Sequence, residues 1–169
     1  MARWRASSPS ASPYITAEGY RALQGDLRSL WDQRSRVVQH LAAAAAEGDR
    51  SENAEYVYRK KELREIDRRI GYLQKRLPIL KVALGRPADN RKVYFGAWVA
   101  VEEIPGARAL YRIVGADEAD ASKRCISVDS PLARALLGKS AGEEILVRSG
   151  ATQRRYVIVD IRYEPATEQ

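Results

Sequence analysis

Leu63, Ile66, Ile70, Leu73, Leu77, Leu80 and Leu84 follow one another at alternating spacings of three and four. That rhythm puts every one of them on a single narrow stripe of an α-helix. The stripe is the seam of a coiled coil rather than the broad face of a globular helix. A seam needs a partner, and Tyr20, Leu23, Leu27, Leu30, Val37 and Leu41 supply one upstream, interrupted once at Arg34. Thr16 is placed to cap this first helix, predicted over about Ala17 to Ala46. Its last stretch, Ala42 to Ala46, forms helix readily and has little bulk, which lets two helices approach closely. The second helix is predicted from Ser51 or Asn53 to Leu84. Pro78 should kink or divide it, because proline removes a backbone donor. A connection of only a few residues folds the two helices antiparallel. About 30 residues at 1.5 Å each give a rod on the order of 45 Å long.

After the segment Gly85 to Asn90, which reads as a linker, the periodicity changes. Val93–Glu103, Leu110–Val114, Ile126–Val128, Ile145–Val147 and Arg155–Tyr163 are rich in β-branched and aromatic residues and are predicted strands. Ser130 and Pro131 suit the cap and first position of a short helix that runs through Leu137 and ends at Gly138. The expected fold class is α+β, a helical hairpin followed by a small antiparallel sheet with one short helix. The corresponding boundaries are a disordered tail over 1–13, a coiled coil over 14–84, a linker over 85–91, a sheet domain over 92–165 and a tail over 166–169.

The net charge of +7 favours a nucleic-acid or nucleoprotein partner. Cys125 is the single cysteine, so no intrachain disulfide can form, which fits a reducing cytosol. His40 is the single histidine and has no cysteine cluster beside it, which argues against structural zinc. No apolar run approaches the length that spans a bilayer, so no membrane partner is expected.

The connection Gly48-Asp49-Arg50-Ser51-Glu52-Asn53 places two acids three residues apart. Two readings stand side by side. Asp49 and Glu52 have the spacing of a capping box at the positive end of the second helix. The same two carboxylates could hold Mg²⁺, which keeps several waters and takes further ligands from a phosphate substrate. Two carboxylates are too few for a complete site, so a partner would supply the rest, and the chain would not be a nuclease by itself.

A basic flank follows. Lys61, Arg64, Arg68 and Lys75 make one stripe off the seam, broadened by Lys60 and Arg69, with Tyr72 beside it as a possible stacking surface. From Arg59 to Lys81 there are nine basic residues and three acids, so pairing with Glu62, Glu65 and Asp67 cannot neutralise the face. The alternatives are a solvated helix face and a contact to phosphates. His40 reads as solvated, Trp31 as a cover for the rod, Trp98 as sheet packing, and Ser130 as a cap rather than a nucleophile.

The stretch Gly48-Asp49-Arg50-Ser51-Glu52-Asn53-Ala54-Glu55-Tyr56 resembles the tip of the bacterial Gre transcript-cleavage factors. Lys60 to Arg69, Phe95-Gly96-Ala97-Trp98-Val99 and Asp129 to Leu137 resemble the GreB branch of that family. The similarity runs from Tyr14 to Pro165. It implies an antiparallel coiled coil and an FKBP-like C-terminal domain that docks on RNA polymerase at its secondary channel. It implies that Asp49 and Glu52 act at the tip in trans, sharing Mg²⁺ with the polymerase active site. Gly48, Ser51, Asn53 and Tyr56 then correspond to residues that shape the tip. Asp129, Ser130 and Pro131 correspond to a docking surface. Lys60, Lys61, Arg64, Arg68, Arg69 and Lys75 correspond to a patch that contacts the extruded RNA 3′ segment. A cytoplasmic, monomeric factor that is not itself an enzyme is expected. The rival readings are a non-cleaving channel regulator and a prolyl isomerase. The latter needs an aromatic-lined pocket, and Phe95 is the single phenylalanine.

Overall fold

The computed structural model describes residues 11–46, 54–83, 87, 89–104 and 106–163. The chain divides into two compact units. One is residues 20–80, and the other joins the residues up to Gly19 with those from Lys81 onward.

The first unit is the helical hairpin. Helix α1 spans Ala17–Ala46 and helix α2 spans Ala54–Arg76. Their pairing is antiparallel, because the earlier α1 residue, Asp26, meets the later α2 residue, Arg69, while Arg34 meets Asp67. Val37, Ile66 and Ile70 are buried together, with Leu27, Leu30 and Leu63 packed against them. These are seam positions, so the three-and-four spacing produced the burial it implied.

The seam stops earlier than its spacing suggests. Helix α2 ends at Arg76, and Leu77–Ile79 form one 3-10 turn with Pro78 inside it. Proline has no N–H for the carbonyl four residues back, and its ring crowds that carbonyl. Leu80 is already extended, at φ −70° and ψ 138°. Leu77 and Leu80 therefore lie outside the helix, and Leu84 lies outside the described residues.

The second unit holds two sheets. Strand β1 (Tyr14–Ile15) and strand β2 (Lys81–Val82) pair in parallel, with Tyr14 opposite Lys81 and Ile15 opposite Val82. Just before β1, Ser12 N–H donates to Asp129 Oδ2 at 2.8 Å, and Pro13 C=O accepts from Lys81 N–H at 2.8 Å. The larger sheet has β3 (Trp98–Glu103), β4 (Ala107–Val114), β5 (Cys125–Ser127), β6 (Glu144–Ser149) and β7 (Thr152–Arg162), in the order β5-β4-β3-β7-β6. The pairs β3/β4, β3/β7 and β6/β7 are antiparallel, and β4/β5 is parallel. The α+β class holds, with a mixed sheet in place of the purely antiparallel one expected. The parallel pair arises because residues 115–124 carry the chain back along β4 before it enters β5, reversing at the 3-10 turn Ala121–Lys123, which an antiparallel bridge between Asp120 and Cys125 closes.

Strand β3 begins at Trp98 rather than Val93. Gly96 adopts φ 84° and Ala97 N–H returns to Tyr94 C=O, so Tyr94–Ala97 is a turn that needs glycine's left-handed freedom. Helix α3 spans Pro131–Leu136, with Ser130 Oγ accepting from Ala133 N–H at 3.2 Å as its cap. The core lies between α3 and one sheet face: Val99, Val101, Ile113 and Ile158 from strands meet Ala133 and Leu136 from the helix. Alternation along each strand turns every second residue to that face.

Candidate functional site

The seven residues 47–53 join Ala46 to Ala54 at one end of the hairpin. Gly48, Asp49, Ser51, Glu52 and Asn53 lie there, outside the described residues. What the structure fixes is the hairpin behind them. Arg69 gives Nε at 3.0 Å and Nη2 at 2.7 Å to Asp26 Oδ2, and Arg34 Nε reaches Asp67 Oδ1 at 2.7 Å. Both bonds cross between the helices and hold their register. Tyr56 opens α2, half-buried, with the Lys60 ammonium 5.7 Å from its ring centroid.

Three of the four acids along α2, Glu55, Glu62 and Asp67, are taken by arginines. Glu55 and Glu62 both bind Arg59, at 3.4 and 3.1 Å, one turn before and after it. That pairing, the Glu62 hydrogen bond first, raises the Arg59 pKa above its ordinary value. Asp67 is taken by Arg34. Lys60, Lys61, Arg64, Arg68 and Lys75 are exposed and form no ion pair with a described residue. At about 100° per residue, Lys61, Arg64, Arg68 and Lys75 project opposite the buried Ile66 and Ile70. The result is a cationic strip facing solvent, with the exposed Glu65 at its edge as a single acid beside five basic residues. Arg69 differs from this group. Its side chain is 16% exposed, held by Asp26 and lying 5.7 Å over the Tyr72 ring.

Asp129, Ser130 and Pro131 come together at the start of α3. Asp129 receives Ser12 N–H on one oxygen and faces Arg134 at 3.9 Å on the other. Ser130 caps α3, and Pro131 is exposed at its first position. The motif is thus built on a helix start, a rigid support for an exposed ring. Cys125 is half-buried on β5, and burial pushes its thiol pKa up.

Sequence reasoning missed Glu118. It sits in the loop after β4 and accepts hydrogen bonds from Thr16 and Gly115. Thr16 was legible as a cap, since Gly19 N–H donates to its Oγ1 at 2.9 Å. Its partner, 102 residues away, leaves no local signal. Among the described residues no helix is long and apolar enough to cross a membrane.

Two family models cover nearly all of this frame. The GreA/GreB N-terminal domain, described as transcription elongation factor, matches residues 13–82, and the GreA/GreB C-terminal domain matches 88–163. The chain is 52% identical over 167 residues to transcription elongation factor GreB of Pseudomonas aeruginosa, covering 98% of this chain and 99% of that protein. It is 50% identical over 158 residues to GreB of Yersinia pestis, covering 93% and 92%. Among solved structures, Gfh1 of Thermus thermophilus matches at 22% identity and a TM-score of 0.42, over 88% of this chain and 97% of that one.

Proposed function

Because the chain belongs to the GreA/GreB family of transcription elongation factors, we propose that it binds RNA polymerase and stimulates cleavage of backtracked RNA 3′ ends. The hairpin enters the secondary channel, and the FKBP-like unit docks at the rim through Asp129, Ser130 and Pro131. The protein works as a cytoplasmic monomer that lends groups to another enzyme's active site.

The observation that carries this reading is the antiparallel hairpin, registered by Asp26–Arg69 and Arg34–Asp67, with two acids in the residues that join its helices. Asp49 and Glu52 are hard oxygen donors, the type that Mg²⁺ takes. They would hold the cation jointly with the polymerase. When bound there, it lowers the pKa of a coordinated water and neutralises phosphate charge. This chain's own part is to present the two carboxylates and orient water. Gly48, Ser51, Asn53 and Tyr56 shape the segment that does so. The gain comes from placing groups rather than from a new covalent step. The strip of Lys60, Lys61, Arg64, Arg68 and Lys75 holds the phosphates of the extruded RNA.

The test is Asp49→Ala with Glu52→Ala, assayed on a stalled elongation complex. Polymerase binding should survive and stimulated cleavage should collapse. Near-normal cleavage by the double variant rejects the mechanism. Competition for polymerase without any cleavage by the wild type would instead favour a non-cleaving channel regulator.

A further inference from the structure

The larger sheet ends differently at its two edges. At one, β5 has three residues, and the chain's own Asp120 bridges Cys125 beside it. At the other, β6 runs for six residues, Glu144–Ser149, with β7 as its neighbour on one side. Among the described residues no strand pairs with its outer side. A bare edge of that length presents backbone N–H and C=O groups to any strand that can lie beside it. The side chains of β6 are arranged about one centre. Ile145 and Val147 are buried in the core, while Leu146 between them is 43% exposed on the other face. Glu144 and Arg148 stand at equal distance on either side of Leu146, on that same face. Both are exposed, and neither forms an ion pair with a described residue. Charges on an edge strand ordinarily keep other strands away. Here their signs are opposite and their placement is symmetric, so towards a second copy of the same strand they attract.

We propose that β6 is a self-association surface: two copies of the chain join edge to edge, antiparallel, about a two-fold axis at Leu146, and their sheets become continuous. Residues that face each other across a strand pair lie on the same side of the sheet, which limits the register. With the axis at Leu146, Glu144 of each copy faces Arg148 of the other, Ile145 faces Val147, and Leu146 meets its own counterpart. Opposite charges facing across a strand pair stabilise it, and like charges oppose it. Moving the axis by one residue sets Glu144 or Arg148 against Leu146 instead. Moving it by two sets Glu144 against Glu144 or Arg148 against Arg148. The charges therefore select one register. A two-fold contact uses the same patch on both partners and closes on itself, so it yields a dimer rather than a fibre. One strand and its flanking side chains make a small interface, which gives a weak and reversible dimer. The inference goes beyond the cleavage-factor reading and does not depend on it: the dimer belongs to the free chain, and the working form on the polymerase is the monomer to which it dissociates.

The experiment follows the full chain by sedimentation equilibrium over a wide concentration range at low salt. Melting temperatures monitor folding, and amide hydrogen exchange reports on β6. Wild type should pass reversibly from monomer to dimer, with exchange at the β6 amides slowing as the dimer fills. Glu144→Arg sets arginine against arginine, and Arg148→Glu sets glutamate against glutamate. Each acts at both ends of the interface and should raise the dissociation constant about tenfold or more. Mixed together, the two variants should form a mixed dimer of about wild-type strength, because arginine then faces glutamate at both ends. Glu144→Arg with Arg148→Glu in one chain should restore the homodimer. If a reversal does not fold, Leu146→Lys, which sets two like charges on the axis, decides in its place by abolishing the dimer. Wild type that stays monomeric throughout overturns the proposal. So do folded reversals that dimerise as wild type does, a mixture that associates no better than its separate members, or a dimer whose β6 amides exchange as fast as the monomer's.

Discussion

Arg69 crosses from α2 to α1 and gives two N–H groups to the same Asp26 oxygen, at 3.0 and 2.7 Å. The contact is half screened, with Asp26 40% exposed, so its worth stays near that of a well-formed surface pair. A double-mutant cycle of Asp26→Asn and Arg69→Met should give a coupling of about 0.5–1 kcal/mol in chemical denaturation. A coupling indistinguishable from zero would mean the register rests on the apolar seam alone.

The exposed strip should behave differently. Changing Lys61, Arg64 and Arg68 together to Ala should leave stability nearly intact, since none of them pairs with a described residue. It should weaken single-stranded RNA contact and flatten the log–log salt dependence by about 2, at roughly 0.7 per lost phosphate contact. Unchanged crosslinking to the RNA 3′ segment would remove the strip from the mechanism.

Ser130 has a structural duty that any docking role must share. Ser130→Ala loses the cap on Ala133 N–H and should cost about 1 kcal/mol. Ser130→Thr keeps a capping oxygen and should restore most of that stability. If polymerase affinity follows stability across the two variants, Ser130 contributes through the cap. If affinity falls in both while Thr restores stability, the hydroxyl's surroundings touch the partner directly.

Cys125 is a poor nucleophile by position. Burial raises its thiol pKa, so at pH 7–8 the folded protein holds less thiolate than a free cysteine does. Iodoacetamide should label it more slowly than it labels the unfolded chain at the same pH, and the labelling rate should climb as pH rises past the ordinary thiol range. Equal rates in the folded and unfolded states would show the thiolate to be unperturbed.

The parts legible in the sequence were those whose cause is local. Ile66 and Ile70 announced the seam by spacing, and Thr16, Ser130 and Pro131 announced helix starts by chemistry. Pro78 was visible, but that it would end α2 and release Lys81–Val82 into a strand was not. Two-residue strands carry too little pattern to be seen, and Ile15 finds Val82 only in three dimensions. The parallel partnership of β4 and β5 depends on how the chain between Val114 and Cys125 returns, which alternation in either strand does not encode. Among site residues, Arg69 was read with the RNA strip because its charge and spacing match. Only the opposing helix reveals that Asp26 holds it.

The short ladder of Tyr14–Ile15 with Lys81–Val82 has a consequence for modularity. It sets the chain's departure and its return side by side, at the strand spacing of about 4.8 Å. The helical excursion is thereby a crossover between parallel neighbours, which a tight turn could not replace, whereas a hairpin of another length could be fitted to the same two strands.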